Sequence, residues 1–293
     1  MNEIERIINN KPNLSANTIR TYTTSYNKLK NILATDNVAS IDNDEIIELV
    51  GDEENYGSQN LLLTIAMMIK HDAEEEYDKL KKHRELVRGL SREYKIKIKD
   101  DKKDSLPEIK DLKKHLNKLY AQEQYRAFII NFLLIHFNVR NLDLDIIMTD
   151  NLKDYRKAGK SGNENVILAG KNHMVYYYRN NYKTKSTYGE KTIKLSNVKL
   201  SRAIKGYIEQ KQINDDPVYL LALENGERIN RESLSHYIPK YTHNNLTETD
   251  YNKIIVTGTV KSMSDYDKLE KISNNRGTAI PTLIEEYNLD VKI

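Results

Sequence analysis

The side chains best suited to chemistry fall in two stretches. One is Asn138-Val139-Arg140-Asn141-Leu142-Asp143-Leu144, which follows an apolar run from Ala127 to Phe137. The other is Arg276-Gly-Thr-Ala-Ile-Pro-Thr-Leu-Ile-Glu-Glu-Tyr287, followed by Asn288. Between them, Lys171 to Gln210 carries nine basic side chains (Lys171, Arg179, Lys183, Lys185, Lys191, Lys194, Lys199, Arg202, Lys205) against Glu190 and Glu209. A local basic patch of this kind neutralises phosphates and releases their counterions. Arginine's planar fork adds two parallel hydrogen bonds to a single phosphate. The pattern therefore directs attention to phosphate chemistry, with tyrosine hydroxyls nearby.

Other chemistries lack their residues. The chain has no cysteine, which removes disulfides, thiolate zinc sites and a cysteine nucleophile together. The seven histidines include no His-x-x-x-His pair with a helical glutamate, so a zinc hydrolase is unsupported. Gly159-Lys160-Ser161 lacks the upstream glycine of a P-loop and reads as a loop. The longest apolar stretches, Leu61 to Ile69 and Ala127 to Phe137, are too short to span a bilayer. The opening residues carry Glu3 and Glu5 and do not read as a signal peptide, so a soluble intracellular protein is expected. Net charge is only +3, but its distribution is uneven. Residues 1–100 hold 15 basic and 18 acidic side chains, and residues 101–293 hold 31 and 25.

The elements that must position these groups follow from periodicity. From Ser15 to Ala34, apolar or aromatic side chains at 19, 22, 26, 29, 32 and 33 mark one helical face, with Ser15 as N-cap. Asp42–Val50, the strongly apolar Ser58–His71 and the charged Glu74–Tyr94 read as three more helices, together an all-α bundle. Lys95 to Pro107 is charge-rich and without period, which reads as a linker. The expected division is 1–97, a linker at 98–107, and 108–293. The second part opens with helices Glu108–Tyr120 and Glu123–Phe137. Three β-rich runs follow, Asn165–Leu168, Met174–Arg179 and Lys191–Leu195, and predict a small three-stranded sheet. Helices resume at Leu200–Gln210, Asn230–Tyr241 and Asp250–Asn274, before a short last helix carrying Tyr287.

Arg140-x-x-Asp143-Leu144 after an apolar helix, with Asp150 closing the next segment, and Tyr287-Asn288 near the other end resemble the first and last boxes of the tyrosine recombinase, or phage-type integrase, family. The start Ser15-x-Asn17-Thr18-Ile19-x-x-Tyr22, the charged linker and the helix–sheet–helix order extend that resemblance over nearly the whole chain. It implies a mainly α fold with a small three-stranded sheet: an N-terminal core-binding bundle of the SAM-like kind and a C-terminal catalytic-type domain. It also implies a partner, double-stranded DNA, with self-association on it, and no cofactor or metal. In that family a tyrosine hydroxyl attacks the scissile phosphorus, leaving a 3′-phosphotyrosyl link and a free 5′-hydroxyl, while fixed cations meet the developing charge.

Carried over, Tyr287 is the nucleophile, Arg140 the first catalytic arginine and Asp143 the residue that orients it. The hairpin lysine that serves as general acid has two candidates, Lys185 and Lys183, with spacing favouring Lys185. DNA contacts are implied for Thr18, Arg20, Thr21, Lys28 and Lys30 in the bundle, and for Lys171, Arg179 and Lys191 in the basic stretch. The family's His-x-x-Arg box is missing. Asp250 and Lys253 lie at a compatible distance, and lysine there keeps the charge but loses the bidentate grip. No histidine or tryptophan lies about nine residues before Tyr287. Arg276, eleven residues before it, is the alternative source of the second arginine. The resemblance implies an active strand transferase, or else a DNA-binding protein that keeps the scaffold and has lost catalysis.

Overall fold

The computed structural model describes residues 3–11, 13–71, 74–103, 105–161, 164–182, 185, 189–211, 217–260 and 266–290. It is mostly helical, and the chain divides into two compact units, Met1–Asp101 and Lys102–Ile293.

The first unit is all helical: α1 (Glu3–Asn9), α2 (Ala16–Ile32), α3 (Asn43–Gly51), α4 (Tyr56–Ile69) and α5 (Glu74–Lys103). Side chains at the helix starts supply acceptors that the first turns lack. Ser15 accepts from the Thr18 amide at 3.2 Å, Asp42 from Asp44 at 2.7 Å and Asn55 from Ser58 at 3.0 Å. The apolar faces meet in one core through Tyr26, Leu29, Ile46, Leu62, Leu63, Ile65 and Leu80. Helix α5 continues to Lys103, through residues whose aperiodic charge read as linker. Nothing between Lys95 and Lys103 is glycine or proline, and lysine is a good helix former, so the first strong stop is Pro107.

The second unit opens with α6 (Ile109–Ala121) and α7 (Tyr125–Phe137). α7 is buried almost all round, as its sequence of apolar residues requires. Among the described residues the sheet has five strands, not three. They are β1 (Ile146–Thr149), β2 (Asn165–Ala169), β3 (Met174–Arg179), β4 (Lys191–Ser196) and β5 (Val218–Tyr219), in the order β4-β3-β2-β1-β5. β1 and β2 run parallel; the other pairs are antiparallel. The two strands missed by sequence are a four-residue buried run and a two-residue edge. Runs so short carry no usable period.

Helix α8 (Leu152–Ser161) bridges the parallel pair, and α9 (Val198–Lys211) packs against α7 and the sheet. That packing is tight: a Cβ on Gly206 would strike the Tyr125 ring. Asn230–Tyr241 forms successive short turns around Pro239 rather than one helix. Of the helix expected over Asp250–Asn274, the described residues form α10 (Glu248–Val260) and α11 (Tyr266–Arg276), with 261–265 outside them, and α12 (Ile280–Tyr287) follows. Ile255, Val256, Leu269, Ile272 and Leu283 join these three in a small core of their own, against which Tyr287 packs.

Candidate active site

The site starts with a helix end. α7 stops at Asn138, whose φ of 49° and ψ of 38° are left-handed, a conformation asparagine tolerates better than most residues. The chain then enters a short 3-10 turn, Asn141–Leu144, with Arg140 at its head. The Arg140 amide donates to Asp143 Oδ2 at 2.8 Å, and the same oxygen accepts from Arg179 Nη2 at 2.7 Å. Asp143 and Arg179 are both buried, each side chain only 1% exposed. Tyr177 fixes the turn from below by donating its hydroxyl to the Asp143 carbonyl at 2.5 Å. Asp143 therefore holds the backbone at Arg140 and leaves the Arg140 side chain to others.

The guanidinium of Arg140 is half-buried. Its Nη2 donates to Thr278 Oγ1 at 3.0 Å, while Nη1 is buried without a hydrogen-bond partner among the described residues. Burial first, and the neighbouring charge of Arg276 second, lower its proton affinity.

Arg276 comes from the last turn of α11 and is 4% exposed. The helix ends there because Gly277 adopts a φ of 64°, and the Gly277 and Thr278 amides return to the Ser273 carbonyl at 2.8 and 3.1 Å. That turn reverses the chain into α12. Arg276 Nη2 donates to Glu248 Oε1 at 2.6 Å and reaches the Tyr287 hydroxyl at 3.3 Å, and its Cζ lies 4.9 Å from the Tyr287 ring centroid. Nη1 points to the Asn138 carbonyl at 3.4 Å. Burial pulls the proton affinity of Arg276 down, but Glu248 and Tyr287 outweigh it and the net direction is up. Glu248, from the first turn of α10, also accepts from the Asn141 amide at 3.0 Å. One carboxylate thus ties the Arg140 turn to α10 and α11.

Arg140, Arg276 and Tyr287 come together although they are far apart in sequence. The other residues singled out by sequence are more scattered. Arg179 is not a surface group: it is buried against Asp143 and donates from Nη1 to the Asn275 carbonyl at 2.6 Å. Lys191, its cross-strand partner, donates to the Asn274 carbonyl, two residues from Arg276. Burial, then the charge of Arg179, lowers the Lys191 pKa. The Tyr182 ring lies against both cations, its centroid 4.8 Å from Arg179 Cζ and 5.6 Å from Lys191 Nζ. Lys185 donates to Asn180 Oδ1 at 2.5 Å and lies 3.9 Å from Glu190. Lys183 lies outside the described residues.

Lys253 is half-buried on α10, where Asp250 accepts from the Thr247 amide and hydroxyl at 3.0 and 2.7 Å as a helix-start cap. The charge that α10 brings to the cluster is Glu248. Lys171 is exposed in the turn before β3. On α2, Arg20, Thr21 and Lys28 are exposed and Thr18 and Lys30 half-buried; Lys28 pairs with Glu53 and Lys30 with Asp36.

Sequence reasoning missed Glu248 and Thr278. Thr278 stands nine residues before Tyr287, a spacing that could have flagged it. An acidic residue in a first helical turn is too ordinary to be noticed. Among the described residues no cluster of side chains could hold a metal ion, and no helix is long and apolar enough to cross a membrane.

No family model and no curated protein sequence matches the chain. Among solved structures it is similar to the crystal structure of XerA recombinase, at 12% identity over 98% of this chain and 93% of that one, with a TM-score of 0.40. A likeness of that size carries no functional weight.

Proposed function

We propose that the chain cleaves and rejoins duplex DNA through a covalent tyrosine intermediate. The observation that carries this reading is the convergence of Arg140 and Arg276 beside the Tyr287 hydroxyl, with one Arg140 donor buried and unspent. A phosphodiester seated there would receive two guanidiniums on its non-bridging oxygens, within reach of the tyrosine oxygen. The new bond joins Tyr287 Oη to phosphorus as the hydroxyl gives up its proton to solvent; the bond to the 5′-oxygen breaks, and that oxygen takes up a proton from a separate donor. Thr278 steers Arg140, and Asp143 with Arg179 keeps the turn beneath it rigid.

The proton donor we favour is Lys191 rather than Lys185 or Lys183. It sits on the strand next to Arg179, touches the segment that carries Arg276, and its lowered pKa makes it a readier acid than an ordinary lysine. In this assignment Arg276 takes the role of second arginine, with Lys253 left outside the chemistry. Arg20, Thr21, Lys28 and Lys171 are suited by exposure to contact the duplex backbone.

A second reading, a DNA-binding protein without catalysis, is favoured by one observation. Glu248 puts a negative charge on Arg276, where a phosphate would have to bind. The test between them is a suicide-substrate assay with nicked duplexes, scored on denaturing gels for a protein–DNA adduct. An adduct that is lost in Tyr287→Phe supports the transferase. Salt-sensitive binding with no adduct supports the binding protein, and no binding at all overturns both.

A further inference from the structure

The first unit contains a cavity of about 430 Å³ that the strand-transfer reading does not use. It is a half-open pocket walled by α1, α4, α5 and the residues flanking them. Four basic side chains reach it, Arg6, Lys11, His71 and Arg84, and no carboxylate among the described residues lines it. That is unexpected in a region where acidic residues outnumber basic ones, 18 to 15 over residues 1–100.

Lys11 and Arg84 are bound to weak partners. Lys11 Nζ donates to Met68 Sδ at 3.8 Å, and Arg84 donates from Nη1 to Met67 Sδ at 4.0 Å and from Nε to the neutral Asn60 Oδ1 at 3.2 Å. Thioether sulfur is a poor acceptor, so exchanging it for a charged oxygen costs little. The rest of the wall is soft and apolar. Ile7 and Met67 are 5% and 4% exposed, and Tyr77 adds an aromatic face. Thioethers and guanidinium planes both pack well against aromatic rings. Inorganic phosphate would leave most of this volume unfilled, and a fatty chain would need a longer apolar wall. The size falls within the range of about 300–1,000 Å³ usual for small-molecule sites.

We infer that this cavity binds a nucleotide, its phosphate held by Lys11 and Arg84 and its base against Met67, Met68 and Tyr77. The nucleotide has two possible sources, free in solution or the 5′-phosphorylated end of a DNA strand.

Calorimetric titration of the full chain tests this, using adenosine and thymidine 5′-monophosphates, the matching nucleosides, inorganic phosphate and a short 5′-phosphorylated oligothymidylate. A monophosphate should bind with a Kd on the order of 100 μM. Nucleoside and inorganic phosphate should each bind about tenfold more weakly or not at all, and Lys11→Gln and Arg84→Gln should each weaken the nucleotide about tenfold. Lys11 is exposed, so its variant reports binding without a folding loss. If only the oligothymidylate binds, and Lys11→Gln weakens it, the inference stands and the source is a strand end. Binding unaffected by either variant, or abolished by Arg140→Ala, would place the phosphate elsewhere and overturn it; so would no binding of any nucleotide. Because this cavity and the Arg140–Tyr287 cluster are tested by different variants, either proposal can fail alone.

Discussion

The second unit holds two arginine clusters, each around a buried aspartate, Asp145 in one and Asp143 in the other, and they are built differently. In one, Arg228 and Arg231 face Asp145 and Glu164, two cations against two anions. Arg228 Nε and Nη2 both meet Asp145 at 2.7 Å, while Nη1 and Nη2 reach Glu164 at 3.0 and 2.6 Å. Arg231 Nε closes on Asp145 at 2.7 Å. The bonds to Asp145, then those to Glu164, raise the proton affinity of Arg228. In the other, Arg140, Arg179 and Arg276 face, among the described residues, the carboxylates of Asp143 and Glu248. Arg140 Nη1, Arg179 Nε and Arg276 Nε are all buried without hydrogen-bond partners among the described residues, and Arg140's proton affinity is lowered. Charge balances in the first cluster; in the second three cations face two carboxylates, and Asp143 Oδ1 is itself buried without a partner among the described residues. A balanced cluster is a clasp between strand and loop; a surplus of fixed donors beside a tyrosine hydroxyl is suited to an incoming anion.

Arg140→Ala should break this contrast most visibly. It removes one fixed donor from the proposed transition state and should cut adduct formation about 10²–10³-fold. Its thermal midpoint should hardly move, because the turn is fixed by the Arg140 amide and not by its guanidinium. A large stability loss without loss of cleavage would make Arg140 a structural residue like Arg228. Next in size is Lys191→Ala, which should slow cleavage about 10²-fold if Lys191 protonates the leaving oxygen. A substrate with sulfur in place of that 5′-oxygen needs no proton, so it should restore the rate in Lys191→Ala and not in Arg140→Ala. The lowered pKa of Lys191 adds a pH signature. The wild-type rate should fall on the alkaline side below the ordinary lysine value of about 10.4, and that limb should shift in Lys191→Arg.

How much of this was legible in the sequence depends on the range of the signal. α2, α4 and α7 were readable because their apolar spacing is local and long. The buried strands β1 and β5 were not, since four and two residues carry no period. In the site, Arg140 and Asp143 are singled out by resemblance to a family motif, and the structure joins them locally, one amide to one carboxylate three residues on. By distance along the sequence Arg276 and Lys253 are both candidates for the second cation, and the reversal at Gly277 brings Arg276 to the Tyr287 hydroxyl. Charge in a basic run suggests a surface position and a DNA contact for Arg179. Its burial against Asp143 is a cross-chain pairing that no window of sequence encodes.

Glu248→Gln probes the one anion that complicates the open cluster. It keeps the shape and the acceptor for the Asn141 amide but removes the charge from Arg276. Affinity for duplex DNA should rise about tenfold, a gain of about 1.4 kcal/mol, with stability lowered by about 1 kcal/mol as a charge-assisted bond becomes a neutral one. Weaker DNA binding in this variant would mean that Glu248 positions Arg276 rather than competes with phosphate.

The smallest effect on cleavage belongs to the balanced cluster. Arg228→Ala leaves Asp145, 2% exposed, with only Arg231 to offset its charge, and should cost about 2 kcal/mol in chemical denaturation. Folded protein should cleave at the wild-type rate, because no described bond of Arg228 leads to Arg140, Arg276 or Tyr287. The pair of variants therefore separates the two clusters by readout: Arg140→Ala moves the chemistry and spares the fold, and Arg228→Ala does the reverse. If Arg228→Ala slowed cleavage at matched folded protein, the 3-10 turn would be the link. Asp145 directly follows that turn, so the clasp would also be setting the aim of Arg140.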